Sequence, residues 1–210
     1  MLSTAIWPAL FVGLGIAILQ QFCGINNVTQ YVQVIFEKAH INLSDGLFNG
    51  IFVGLVFLVF TFLAIVLVDK IGRKILMLTG TGLMAFFLCM LAWSFHSTSI
   101  NGLLVFFFVM GYIATFSFTL GPVVWVLLSE IFPNYIREKA LSVSSCMLWT
   151  ATFIVVLISP YLLDFDPVFN FLLFALLNLV GFVFILRYLP ETKGKTLEEM
   201  DEIWAKKVKK

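Results

Sequence analysis

A chain of 210 residues that is 61% hydrophobic and 12% charged is too apolar for a soluble domain, where about a quarter of residues are charged. Its net charge of +1 includes no basic patch interleaved with exposed aromatics, which speaks against a nucleic-acid partner. Cys23, Cys89 and Cys146 lie in apolar runs and form no CxxC pair, so neither a metal site nor a redox cofactor is expected.

A helix needs about 20 apolar residues to cross a hydrocarbon core of roughly 30 Å. Six stretches qualify, at approximately 5–36, 47–68, 75–96, 101–128, 140–162 and 168–188. The first is longer than a span requires and has no charged region before it, so it reads as a spanning helix and not as a cleavable signal. It also holds a dense polar set: Gln20, Gln21, Asn26, Asn27, Thr29, Gln30 and Gln33. Gln20, Gly24, Asn27 and Tyr31 follow one helical stripe, and Asn26, Gln30 and Gln33 a neighbouring one. Each amide is costly in hydrocarbon unless it pairs with another helix or faces a wet cavity. The density favours a cavity, and Gly24 beside the amides predicts local unwinding.

The second and third spans are apolar, joined by Asp69-Lys70-Ile71-Gly72-Arg73-Lys74. In the fourth, Gly121-Pro122 predicts a kink near the middle, because proline lacks the N–H and crowds the preceding turn. Trp125 follows one turn later, either as a cavity wall or as a packing or interface residue. After the sixth span comes Pro190-Glu191-Thr192-Lys193-Gly194. Thr196 and Glu199 then form a capping box, with Leu197, Met200, Ile203 and Trp204 on one helical face. Lys206 to Lys210 close the chain near anionic lipid.

Of the 13 lysines and arginines, all but Lys38 lie on or beside the side that carries both termini. The positive-inside rule therefore predicts cytoplasmic termini. No aspartate or glutamate lies deep in a span. A charged substrate would call for a fixed counter-charge there. Uncharged amides suit a neutral polyhydroxylated ligand, since each offers both a donor and an acceptor. With no carboxylate at depth, no membrane histidine opposite a serine and no HExxH, the sequence does not read as an enzyme.

Gln20-Gln21-Phe22-Cys23-Gly24-Ile25-Asn26 resembles the QQxxGIN segment that begins the second half of the sugar porters of the major facilitator superfamily. Asp69 to Lys74 resembles their DxxGR[RK] loop. Gly121 to Trp125, Glu130, Arg137 and the PETKG tail complete the set in the family's order, over essentially the whole chain. The bacterial proton-coupled pentose and hexose porters are the most similar in character.

The resemblance implies an all-α integral membrane fold. A six-helix half-bundle would occupy residues 1–189, and a cytoplasmic tail with a short amphipathic helix residues 190–210. It implies proton-coupled symport of a monosaccharide, pentose or hexose, in a bacterial inner membrane. Gln20, Gln21, Asn26, Gly121 and Trp125 would bind the sugar. Asp69, Arg73, Glu130 and Arg137 would form a cytoplasmic network that alternates with access. The proton-carrying aspartate and its arginine partner belong to the family's first six helices, for which this chain has no counterpart. An N-terminal six-helix half or a second copy is therefore expected as partner, with membrane lipid around the rest. The sequence departs from the family pattern at Gln30, where a cavity tyrosine is frequent, at Phe57 in place of an asparagine and at Leu148 in place of a glutamine. These departures leave room for a second reading, a non-transporting sugar sensor or interaction subunit, or an inactive fragment of a split transporter gene.

Overall fold

The computed structural model describes residues 2–39, 46–97, 100–195, 199–200 and 203–204, with side chains from residue 7 and, after the first gap, from residue 50. Its helices are α1 (Leu2–Phe22), α2 (Ile25–Gln30), α3 (Val32–Lys38), α4 (Gly46–Ile71), α5 (Arg73–His96), α6 (Gly102–Phe118), α7 (Leu120–Ile131), α8 (Arg137–Phe165) and α9 (Pro167–Tyr188). Among the described residues there is no strand. Six segments are long and apolar enough to cross a membrane, matching the six expected spans. Of the tail helix, Met200 and Trp204 are buried and helical. Thr196, Leu197 and the terminal lysines lie outside the described residues.

Two spans are broken. The first bends at Gly24, whose φ of 94° is left-handed, a conformation that costs glycine little and other residues much. A β-carbon there would also lie 2.8 Å from the Phe174 ring. The bend turns the Cys23 carbonyl toward α6 and α9. Tyr112 Oη donates to it at 2.9 Å and Asn178 Nδ2 at 2.8 Å. Both donors are buried. In a dry interior an unpaired carbonyl costs several kcal/mol, so these two side chains hold the bend in place. A second break at Tyr31 separates α2 from α3, and the Tyr31 hydroxyl donates to the Val156 carbonyl of α8.

The fourth span breaks at Thr119 (φ −123°, ψ −92°), earlier than the Gly121-Pro122 site expected from sequence. The reason is geometric. The Pro122 ring would crowd the carbonyl of Phe118, four residues before it, so the helix ends there and restarts. Pro122 then falls in the first turn of α7, where a missing N–H breaks no intrahelical bond.

The helices pack α5 along α9, α1 along α8 and α4 along α6, while α7 touches α1, α4, α5, α6 and α8 at the centre. Burial is uneven. In the most apolar stretch of α5, 50% of residues are buried, against 22% in α8 and 11% in α4. The outer surfaces of α4 and α8 are therefore the faces that this bundle leaves most open.

Candidate functional site

An open cavity of about 400 Å³ lies between the two broken spans and the flanking helices α4 and α8. Gln20 and Gln21 reach it from the end of α1, Asn26 and Thr29 from α2, and Gly121 and Trp125 from α7. Phe57 of α4, Phe116 of α6 and Leu148, Trp149 and Thr152 of α8 complete most of the wall. The five residues expected to bind the substrate thus share one cavity, because each helix break brings a polar stretch to the same depth. Among the described residues, none that lines it is charged.

The amides are partly committed. Gln20 Nε2 donates to the carbonyls of Leu120 at 3.0 Å and Gly121 at 3.3 Å, tying one broken span to the other. Its Oε1 is buried and accepts no hydrogen bond. Asn26 Nδ2 donates to Gln21 Oε1 at 2.6 Å. That pairing leaves the Gln21 N–H groups and the Asn26 carbonyl oxygen to meet a ligand. Trp125 is 44% exposed and Trp149 65% exposed, so aromatic faces from α7 and α8 border the same space.

The rest of the polar set divides differently. Asn27 and Asn170 exchange two amide hydrogen bonds, at 3.0 and 3.1 Å, with both residues fully buried. Asn27 therefore joins the first span to the sixth and does not line the cavity. Gln30 and Gln33 are exposed away from it. Phe57 and Phe116 meet edge to face at 6.3 Å. Together with Leu148 they make one wall apolar, so the sequence departures at Phe57 and Leu148 both fall on the cavity surface.

A second polar cluster sits at the end of the bundle where α4 meets α5. Gly72, with φ 101°, turns the chain between them, and a β-carbon there would lie 3.0 Å from Glu191 Oε2. Arg73 then grips Glu130 through two parallel bonds, Nη2 to Oε1 at 2.7 Å and Nε to Oε2 at 3.1 Å. Asp69, one turn back, takes the same Nη2 at 2.8 Å. This fork-on-fork geometry is the strong form of an ion pair, whereas the exposed Asp69 contributes little. Thr192 Oγ1 donates to Glu130 Oε2 at 2.7 Å. Glu191 accepts from the backbone N–H groups of Arg73, Lys74, Thr192 and Lys193, so the PETKG motif caps the start of α5. Arg137 stands apart. Its Nη2 donates to the Phe132 carbonyl at 3.4 Å and its Nε has no partner. Of the four expected members of the network, Asp69, Arg73 and Glu130 meet and Arg137 does not. Trp204 Nε1 donates to the Ile131 carbonyl at 3.1 Å, seating the tail on the end of α7.

The sequence reading missed Tyr112, Asn178, Glu191 and Thr192 as structural partners, and Trp149 and Thr152 as cavity walls. Tyr112 and Asn178 carried a usable signal: each is a polar group inside an otherwise apolar span, where a partner is obligatory.

Comparison with known proteins sharpens this picture. The family described as "Sugar (and other) transporter" matches residues 1–204. The arabinose-proton symporter of Bacillus subtilis (strain 168) is 35% identical over 199 residues, covering 94% of this chain and 43% of its own length. The D-xylose-proton symporter of Escherichia coli (strain K12) is 37% identical over 206 residues, covering 95% of this chain and 42% of its own length. Among solved structures, the proton:xylose symporter XylE bound to 6-bromo-6-deoxy-D-glucose superposes with a TM-score of 0.84 at 37% identity. That match covers 93% of this chain and 42% of the symporter. An inward open conformation of the E. coli xylose transporter superposes with a TM-score of 0.81 at 36% identity, covering 93% of this chain and 42% of the other. The chain thus spans less than half the length of these relatives.

Proposed function

The chain belongs to the sugar (and other) transporter family, and from that premise we propose that it is the C-terminal six-helix half of a monosaccharide transporter. The observation that carries this reading is the uncharged cavity lined by Gln20, Gln21, Asn26, Gly121 and Trp125. Amide donors and acceptors meet sugar hydroxyls there, and the Trp125 ring takes an apolar C–H face of the sugar. Relatives of similar sequence are named for arabinose and xylose, which supports a pentose or hexose as substrate.

In this reading the cavity is half of a site. It opens between α4 and α8, the least buried helices, and a polar wall facing hydrocarbon is costly. A second six-helix bundle covers it, and access alternates as the two bundles rock about the sugar. The Arg73–Glu130–Thr192 cluster holds one end of the bundle in one of the two states, and its bonds exchange when access changes. Proton coupling follows the named function of the symporter relatives. Its carboxylate belongs to the second bundle, because no acidic residue of this chain lies deep in a span. The cation-rich end, with both termini, faces the cytoplasm, and the bacterial relatives support an inner-membrane location.

The test is sugar binding and uptake by the chain assembled with its first six-helix half. Xylose and glucose are expected to quench tryptophan fluorescence, and Trp125→Ala or Gln21→Ala to weaken affinity at least tenfold, the loss of about 1.4 kcal/mol. Unchanged affinity in both variants would refute the site.

A further inference from the structure

Between α1 and α9 lies a second cleft of about 470 Å³. It shares no lining residue with the cavity above. Trp7, Phe11 and Val12 of α1 form one wall, Tyr188 and Arg187 of α9 the other, and Trp204 of the tail closes it. The walls are aromatic and rigid. Phe11 meets Tyr188 edge to face at 5.5 Å and tilts on Phe184 at 5.6 Å, while Phe184 and Tyr188 lie 5.2 Å apart. Trp7 is 74% exposed, and exposed tryptophan and tyrosine mark headgroup depth in membrane proteins.

The charged residue among those lining the cleft is Arg187. It sits in the last turn of α9, is exposed, and forms no hydrogen bond or ion pair with the described residues. An apolar slot with an exposed guanidinium at headgroup depth, unpaired among the described residues, suits a ligand with an acyl chain and an anionic head. We propose that this cleft binds an anionic phospholipid, with an acyl chain along Trp7, Phe11 and Tyr188 and the phosphate on Arg187. A second copy of the chain is disfavoured there, since the cleft lies at the end where the cations gather and two such ends repel. Because Trp204 also donates to the Ile131 carbonyl at the end of α7, a lipid in the cleft packs against the residue that seats the tail.

The experiment uses the full chain in phosphatidylcholine nanodiscs. These contain a few mole per cent of brominated-chain phosphatidylglycerol or, in parallel, brominated-chain phosphatidylcholine. Bromine quenches tryptophan on contact, so Trp93, Trp125 and Trp149, which are also exposed, are replaced by phenylalanine, and Trp7, exposed at the cleft, reports on it. Phosphatidylglycerol is expected to be preferred about five-fold, as ~1 kcal/mol per basic residue near anionic lipid implies. Arg187→Gln should remove the preference, and Lys70→Gln, at the same end but outside the cleft, should keep it. Equal quenching by both lipids, or a preference that survives Arg187→Gln, overturns the proposal. So does a preference lost equally in Lys70→Gln, which would mean diffuse charge attraction. Abolition by inorganic phosphate would assign the site to a free anion. Weaker quenching in discs loaded with two chains would assign it to a second copy.

Discussion

The Cys23 carbonyl is where the bend of the first span is most open to test. Two buried donors from different helices, Tyr112 and Asn178, serve this one oxygen. Tyr112→Phe removes one donor and leaves the ring packing intact, so it should cost about 1 kcal/mol, the net worth of one hydrogen bond. Asn178→Leu removes the other, together with a bond to the Phe174 carbonyl, whose oxygen keeps its place in the α9 helix. Its cost should also be about 1 kcal/mol, eased by loss of the unpartnered Asn178 Oδ1. The double variant differs in kind. With both donors gone the carbonyl is buried with nothing to accept from, a penalty of about 1–3 kcal/mol beyond the lost bonds. The pair should therefore be more damaging than the sum of the singles by at least ~1 kcal/mol. Equilibrium unfolding in mixed micelles, arranged as a double-mutant cycle, measures this directly. Additivity within about 0.5 kcal/mol, the usual result for uncoupled sites, would refute the idea that these side chains share the task of holding the bend.

Gly24→Ala should be poorly tolerated, because the left-handed backbone and the Phe174 ring both exclude a β-carbon. A loss of roughly 1–3 kcal/mol in the same unfolding assay is expected, and a neutral result would mean the bend is not fixed there. Glu130→Ala strips Arg73 of its forked partner and Thr192 of its acceptor. With Glu130 partly exposed, a cost of about 1–2 kcal/mol is expected, with faster proteolysis of the tail as a second readout. Arg137→Ala should barely change the stability of this state, since its Nε is unpartnered, yet should slow uptake by the assembled transporter. Normal uptake would remove Arg137 from the mechanism.

The spans were readable because a membrane crossing is a property of composition and length, and both are present in the sequence. The cavity amides were readable because seven polar side chains in one span demand an explanation. Their division of labour was not. Asn27 and Gln20 are chemically similar, yet one is used up on Asn170 of a helix 143 positions away while the other ties to α7. Only the packing of α9 against α1 and α2 decides that. The break at Thr119 was legible to within a few residues from Pro122, because the clash it creates acts one turn upstream. Arg137 matched a motif by position, but where its guanidinium goes depends on how the segment after Phe132 turns, which spacing does not encode. Glu191 was visible as part of a motif, and its role appears only once the tail folds back over the first turn of α5.

Gln20 joins the first break of one span to the break of another: it stands near the end of α1 and holds the first turn of α7. A guest that competes for its N–H must draw that group away from Leu120, and so loosens the second hinge as it settles at the first. Because its Oε1 is also buried, either end of this amide is reached only by turning it, so binding beside α1 and movement at the start of α7 go together.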